Sequence, residues 1–277
     1  MEPTDRLDAV LERFSVRARQ FHLGPLRDTQ RYAAEPGRGF LHVLRSGRLL
    51  VGDEGRPALR SVEGPSLLFY PRAFEHVFHA GPGVELACAE LEFDGGAEHP
   101  LVRALPDAVT VPIAEVAGLD RSLELLFAEI DEFRCGRRHV VDRLFEIALL
   151  KLLRWLLDHP RDIGLSPGLI AGLSDPQLAR ALAGMHEDPG RGWTLESLAG
   201  RAGMSRSAFA QRFRELVGAT PHDYLTGWRM SLARRQLREG RAVAQVAAEL
   251  GYTSSSFSRV FAQREGAPPR AWAARLD

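Results

Sequence analysis

The stretch Gly203-Met204-Ser205-Arg206-Ser207-Ala208-Phe209-Ala210-Gln211-Arg212-Phe213 returns 48 residues later as Gly251-Tyr252-Thr253-Ser254-Ser255-Ser256-Phe257-Ser258-Arg259-Val260-Phe261. The same register aligns Leu198-Ala199 with Val246-Ala247, Gly218 with Gly266 and Pro221 with Pro269. A turn glycine, two aromatic residues four apart, a closing glycine and a following proline in one register mark an internal repeat whose copies are each one supersecondary unit. In the first copy Thr194 is placed to cap a short helix and Trp193 to staple onto Leu198. Ala202-Gly203-Met204 then makes the turn. Ser205 caps a second helix that turns Phe209 and Phe213 inward and leaves Ser207, Ala210, Gln211 and Arg214 outward. The second copy runs from Val243 to Leu250, turns at Gly251-Tyr252 and resumes as a helix from about Ser254 to Arg264, with Ser255, Ser258 and Arg259 outward. Helix, tight glycine turn and helix, twice over, predict a pair of helix-turn-helix units. His222 to Glu239 between them reads as one long rigid helix, with Leu225, Trp228, Leu232 and Leu237 inward and Arg229, Arg234, Arg235 and Arg238 mostly outward.

The charge follows the same division. The 277 residues carry 36 basic and 36 acidic side chains, yet residues 1–173 hold 21 against 26 and residues 174–277 hold 15 against 10, net −5 and +5. An acidic first part joined to a basic last hundred residues is the pattern of a chain that meets a polyanion with one domain only. In a helix-turn-helix the second helix lies in the major groove, where Ser, Gln and Arg hydrogen-bond to base edges and Arg neutralises phosphate. Two such helices on a rigid spacer would enter successive grooves about 34 Å apart.

Upstream, apolar runs at Phe40–Leu44, Arg48–Val51, Ser66–Tyr70, His76–His79 and Val84–Phe93 are separated by turn formers such as Ser46-Gly47 and Gly81-Pro82-Gly83. That spacing predicts a small β-barrel. After Pro112 the period changes to that of helices, through Leu123, Leu126, Phe127, Ile130 and Phe133 and then Val140 to Leu157. The second of these is apolar nearly all round, with Val141, Leu144, Phe145, Ala148, Leu152, Trp155 and Leu156 on one side and Ile147, Leu150, Leu153 and Leu157 on the other. Both faces should be covered, by a second subunit or domain or by a central place in its own domain. Pro160 to Gly168 reads as a linker. At 45% apolar and 26% charged residues the chain is a folded one, long enough for two domains. Two cysteines, Cys88 and Cys135, are too few for a disulfide framework, and the first residues lack the basic and apolar regions of a signal peptide, so a cytoplasmic location is expected. Charges interrupt the longest apolar stretch, and no membrane span is expected.

Met185-His186-Glu187-Asp188-Pro189, Trp193 to Ala199, Gly203 to Phe209, Thr220-Pro221-His222-Asp223-Tyr224-Leu225 with Trp228-Arg229-Met230, and Gly251-Tyr252 with Phe257-Ser258-Arg259-Val260-Phe261 resemble the DNA-binding domain of the AraC/XylS family of bacterial transcription regulators. The resemblance covers about residues 174–273 and implies seven helices holding two helix-turn-helix units on promoter DNA, usually fused to a sensing and dimerising domain. Its base-facing positions fall on Ser207, Ala210 and Gln211 in the first unit and on Ser255, Ser258 and Arg259 in the second; Ser205, Arg206 and Arg214 complete the expected DNA-binding set. Gly251 and Phe257 enclose five residues, where the family's second unit usually has six.

Gly64, Tyr70-Pro71-Arg72, His76, Phe93-Asp94-Gly95-Gly96 and His99-Pro100-Leu101, with the short strands, resemble the cupin barrel that some members carry at the N-terminus. Many cupins are metal enzymes with a His-x-His, a Glu and a further His. Here Leu44 stands at the second ligand place after His42 and Arg48 near the Glu place. Taking His42 as the second ligand instead puts Phe40 first and Ser46 or Gly47 near the acid. A complete facial set is missing, which argues against oxygenase or isomerase chemistry. The remaining candidates are His42, His76 and Cys88, as the lining of an effector pocket or as ligands to a metal such as zinc; no cofactor is required. Cys88 between two alanines reads as a small buried hydrophobe or a redox trigger.

The expected architecture is thus α+β and multidomain. Residues 1–112 form a cupin-like effector-binding barrel, 113–168 a helical linker and dimerisation segment, and 169–277 an all-α DNA-binding domain with two helix-turn-helix motifs. The expected function is a sequence-specific transcription regulator, not an enzyme, that senses a small effector. Its expected partners are double-stranded promoter DNA, the effector, a second copy of itself and RNA polymerase. The alternatives are a metal-dependent cupin enzyme tethered to DNA and a constitutive DNA binder with an inert barrel.

Overall fold

Strands form where β-branched and aromatic residues run between turn formers. They are β1 (Val16–Pro25), β2 (Gln30–Tyr32), β3 (Arg38–Ser46), β4 (Arg48–Asp53), β5 (Arg60–Glu63), β6 (Ser66–Tyr70), β7 (His76–Ala80), β8 (Glu85–Phe93) and β9 (Val109–Pro112). The helices are α1 (Asp8–Arg13), α2 (Pro100–Ala104), α3 (Leu119–Asp131), α4 (Arg137–Asp158), α5 (Leu169–Ser174), α6 (Pro176–Glu187), α7 (Leu195–Ala202), α8 (Arg206–Val217), α9 (Pro221–Arg238), α10 (Val243–Glu249), α11 (Ser254–Glu265) and α12 (Pro269–Ala273). The computed structural model describes residues 5–55, 58–160 and 165–275. Two compact units divide the chain, Phe14–Leu165 and Met1–Arg13 with Ser166–Asp277. Helices α3 and α4 therefore share a unit with the strands, and α1 groups with the C-terminal helices. Of the linker expected over Pro160–Gly168, Arg161–Gly164 lie outside the described residues.

In the first unit two antiparallel sheets, ordered β1-β8-β3-β6-β9 and β2-β7-β4-β5, share one core. Phe40 and Leu44 of β3, Leu68 and Tyr70 of β6 and Leu86 of β8 meet Leu49 and Val51 of β4 and Phe78 of β7 there. Strands β1, β2, β5 and β9 were not among the expected ones. The first of them is a sheet edge, and its free N–H groups are taken by side chains of α4: Gln20 N donates to Asp142 Oδ1 at 2.7 Å and Ala18 N to Glu146 Oε1 at 3.2 Å. Two carboxylates one helical turn apart thus close an edge that would otherwise pair with another chain. Arg45 at the end of β3 clasps Asp131 at the end of α3 through two bonds of 2.9 Å. Helix α4 buries Val141, Leu144, Phe145, Ala148, Leu152, Leu153, Trp155, Leu156 and Leu157, while Val140, Ile147 and Leu150 stay exposed. The cover expected on both sides is therefore present along one side and incomplete along the other.

In the second unit the 48-residue repeat returns most closely in α8 and α11. Helices α8 and α11 each hold 12 residues, capped by Ser205 and Thr253, whose hydroxyls accept from Ala208 N and Ser256 N. Both turns place their glycine in the left-handed region, Gly203 at φ 68° and Gly251 at φ 75°, where a side chain would be strained. The five-residue spacing from Gly251 to Phe257 equals that from Gly203 to Phe209, so the second reading helix begins in register with the first. Thr194 caps α7 as expected, in a reciprocal pair of bonds with Ser197. One expectation about α9 is corrected. Arg234 is buried against Glu265 at 2.6 Å and Arg229 turns onto backbone carbonyls, because both lie where α9 packs on its neighbours rather than on its open side. Helices α6 to α12 make up the seven expected.

Candidate nucleic-acid interface

Helix α8 presents its polar face because Phe209, Phe213 and Val217 recur at helical spacing and are buried, which leaves the intervening positions to solvent. Ser205, Arg206, Ser207, Gln211 and Arg214 are exposed, and Ala210 is half-buried. In α11 the burial of Phe257 and Phe261 does the same, exposing Ser255 and Arg259 and leaving Ser258 half-buried. Gln211 Nε2 donates to Glu215 Oε1, one helical turn on, at 2.9 Å.

The arginines sort themselves by face. Arg212 is paired with Asp175 at 2.9 Å and Arg234 with Glu265 at 2.6 Å, both at packing seams. Among the described residues Arg206, Arg214 and Arg259, on the outward faces of the two helices, have no acidic partner. Exposed, unneutralised guanidinium groups interleaved with hydroxyl and amide groups are suited to phosphate and to the acceptors of guanine. The Cupin family matches residues 5–158 and the Helix-turn-helix domain family residues 198–275. An AraC-like transcription regulator of Streptomyces lividans is 37% identical over 207 residues, covering 72% of this chain and 67% of the relative. One from Streptomyces antibioticus is 35% identical, covering 71% and 68%. The chain belongs to the AraC-type transcription regulators. The HTH-type transcriptional regulator MtrA of Neisseria gonorrhoeae is 24% identical over 83% of this chain and 84% of its own. For this AraC-type regulator, Arg259→Ala is expected to weaken binding to its specific site by about 1–3 kcal/mol with relaxed preference at one base pair. Binding titrations against single-base variants of the site check this, and an equal loss on every sequence would make Arg259 a phosphate contact instead.

The sheet unit brings together the residues singled out there. His42 and Cys88 are register partners on β3 and β8, and His42 Nε2 lies 2.9 Å from His76 Nε2. All three are fully buried. Rings surround them: Tyr70 stacks on His76 at 3.7 Å between centroids, Tyr32 at 4.8 Å, and Phe40 stacks on His42 at 5.8 Å. Desolvation lowers the pKa of both imidazoles, His76 to about 4, so both are neutral. Their tautomers then follow. His76 Nδ1 donates to Phe74 O at 3.0 Å, which leaves its Nε2 to accept from His42 Nε2–H. His42 Nδ1 is then a bare acceptor, buried and without a partner.

A buried network missed in the sequence lies beside the pair. Tyr70 Oη donates to Asp53 Oδ1 at 2.9 Å, and Arg60 donates to Asp53 Oδ2 at 3.0 Å and to Tyr70 Oη at 3.3 Å. Burial pushes the Cys88 thiol well above its usual range, which disfavours the thiolate needed for a redox trigger. Among the described residues no three His, Cys, Asp or Glu side chains stand together as a metal site. With one Nε2 protonated toward the other, the two imidazoles face each other rather than a shared ion. The residues do not fit a cupin metal centre.

Proposed function

We propose that the sheet unit takes up a small effector and that the response is a change in affinity for promoter DNA, in a cytoplasmic homodimer that catalyses no reaction. The observation that carries this reading is the orphaned His42 Nδ1. A buried acceptor without a donor costs about 1–3 kcal/mol, a cost that a ligand hydroxyl or amide N–H would relieve. The effector class it favours is therefore an uncharged hydrogen-bond donor with an apolar body, matched in chemistry to the rings of Tyr32, Phe40 and Phe78 that pack around His42. What supports a second copy is the exposed stripe of Val140, Ile147 and Leu150 on α4, spaced so as to line one face of a helix. Among the described residues no helix is long and apolar enough to cross a membrane.

The test is binding of the purified full chain to DNA from upstream of its own and neighbouring genes, against scrambled competitor across a salt series. Binding that survives competitor is expected, together with a shift in affinity on adding the low-molecular-weight fraction of a cell extract. In the His42→Leu variant DNA binding should persist and the shift should vanish. Unchanged affinity under every addition would favour the constitutive binder. Turnover retained by a metal-loaded protein would favour the tethered enzyme.

A further inference from the structure

A single helix between two reading units fixes their distance better than their relative rotation, because torsion accumulates at both helix ends. Helix α9 ends at Arg238 and is followed by Gly240, at φ 77°, before α10 begins at Val243. Left to that connection alone, the second unit would pivot.

The structure closes the pivot from the other side. The loop between α6 and α7 backs directly onto the turn of the second helix-turn-helix. A Cβ on Gly190 would collide with the carbonyl oxygen of Glu249, and one on Gly251 with that of Gly190, so the two backbones touch where only glycines allow it. Arg229, near the middle of α9, ties the same place together. Its Nε donates to Pro189 O at 2.6 Å and its Nη2 to Arg191 O at 2.9 Å, while the guanidinium lies 5.0 Å from the centre of the Tyr252 ring in the second unit's turn. One planar fork thus holds the loop that leads into the first unit, the turn of the second and the helix between them. The loop is itself stiffened by Trp193 Nε1 donating to Asp188 O at 2.8 Å and by Arg191 N donating to Asp188 Oδ1 at 3.1 Å.

We infer that Arg229, with the Gly190–Gly251 contact, is the positioning element that sets the spacing between the two DNA elements the regulator reads. It touches no base in this role. It acts on which separation of sites both helices can occupy at once. Arginine is required rather than any cation because two carbonyls are met by two N–H groups of one rigid plane whose face also meets the tyrosine.

The experiment is in vitro selection from a random duplex library with the full-length protein, comparing wild type with Arg229→Ala, Arg229→Lys and Gly190→Ala. Wild type should enrich two short elements at one separation. Each variant should enrich the same two elements at a spread of neighbouring separations, and should bind the best wild-type fragment about tenfold more weakly, on the scale of lost charge-assisted hydrogen bonds. Arg229→Lys keeps the charge, so broadening in that variant assigns the effect to fork geometry. A single unchanged separation in Arg229→Ala, at whatever affinity, overturns the inference. So does loss of one element altogether in all three variants, which would mean that the second unit had unfolded rather than moved. A wild-type pool without paired elements would overturn it as well, by showing that the two units do not read DNA jointly.

Discussion

Phe257→Ala is expected to cost about 3–5 kcal/mol and to leave a protein that holds DNA through its first unit alone. Phe257 is fully buried and packs on Phe261 at 5.5 Å between ring centroids, with Tyr252 at 6.2 Å. Only Val246 and Ala247 of α10 and Phe257 and Phe261 of α11 are buried along those two short helices, so the second unit has a small core with little to redistribute. A loss of this size is comparable to the free energy of local opening in many domains, so the expected result is local melting of α10 and α11 rather than collapse of the whole chain. Hydrogen exchange over residues 243–265 should rise while residues 195–217 stay protected, and a footprint on the selected DNA should shrink to one element. Phe257→Leu, which keeps most of the volume, should cost under about 1.5 kcal/mol and restore the second half of the footprint. If Phe257→Ala raised exchange over residues 243–265 and yet protected both elements, the two-unit reading mode would be wrong; unchanged exchange would overturn the expected local melting.

The repeat was legible because each of its signals is local. A glycine able to adopt positive φ, a hydroxyl cap two residues later and two phenylalanines a helical turn apart suffice to place α8 and α11, and the 48-residue register confirms each by the other. Strand β1 was not legible for the opposite reason. Val16 and Ala18 alternate with Arg17 and Arg19, but the phase shifts at Gln20, where the pairing with β8 is bulged, before Phe21 and Leu23, and the strand is an edge whose N–H groups are satisfied by Asp142 and Glu146, more than a hundred residues later. The same non-local logic hid Arg229 and Arg234, which read as solvent-facing on a helical wheel because their partners, the 189–191 loop and Glu265, belong to other elements. Histidines show both sides. His42 and His76 could be nominated from the sequence, but their tautomers depend on the carbonyl of Phe74 and on mutual burial. His99, read in the sequence only as part of a motif, proves to be an N-cap: its Nδ1 accepts from Leu101 N at 3.1 Å and its Nε2 donates to Phe14 O at 3.2 Å.

These buried histidines set the second large effect, loss of stability on mild acidification. Burial lowers His99 to about 4 and His186 to about 3, and lowers both members of the His42–His76 pair, against an ordinary value near 6.5. The unfolded chain therefore binds more protons than the folded one between about pH 6.5 and pH 4, so stability is full above the unfolded value and falls as pH drops through that window. By pH 5 the loss is roughly 2 kcal/mol for a single histidine of this kind. Most carboxylates titrate below that point, which isolates the histidines between pH 7 and pH 5. The sheet unit holds three of the four and the DNA-binding unit only His186, bonded through Nε2 to Tyr224 Oη at 2.6 Å. On lowering pH from 7 to 5, exchange protection should fall first and further over residues 14–160, while residues 166–275 keep most of theirs. No loss in the sheet unit would show that these imidazoles take up protons in the folded protein as readily as in the unfolded one, and the tautomer argument for the orphaned His42 Nδ1 would fall with it; equal loss in both units would assign the effect to groups other than these histidines.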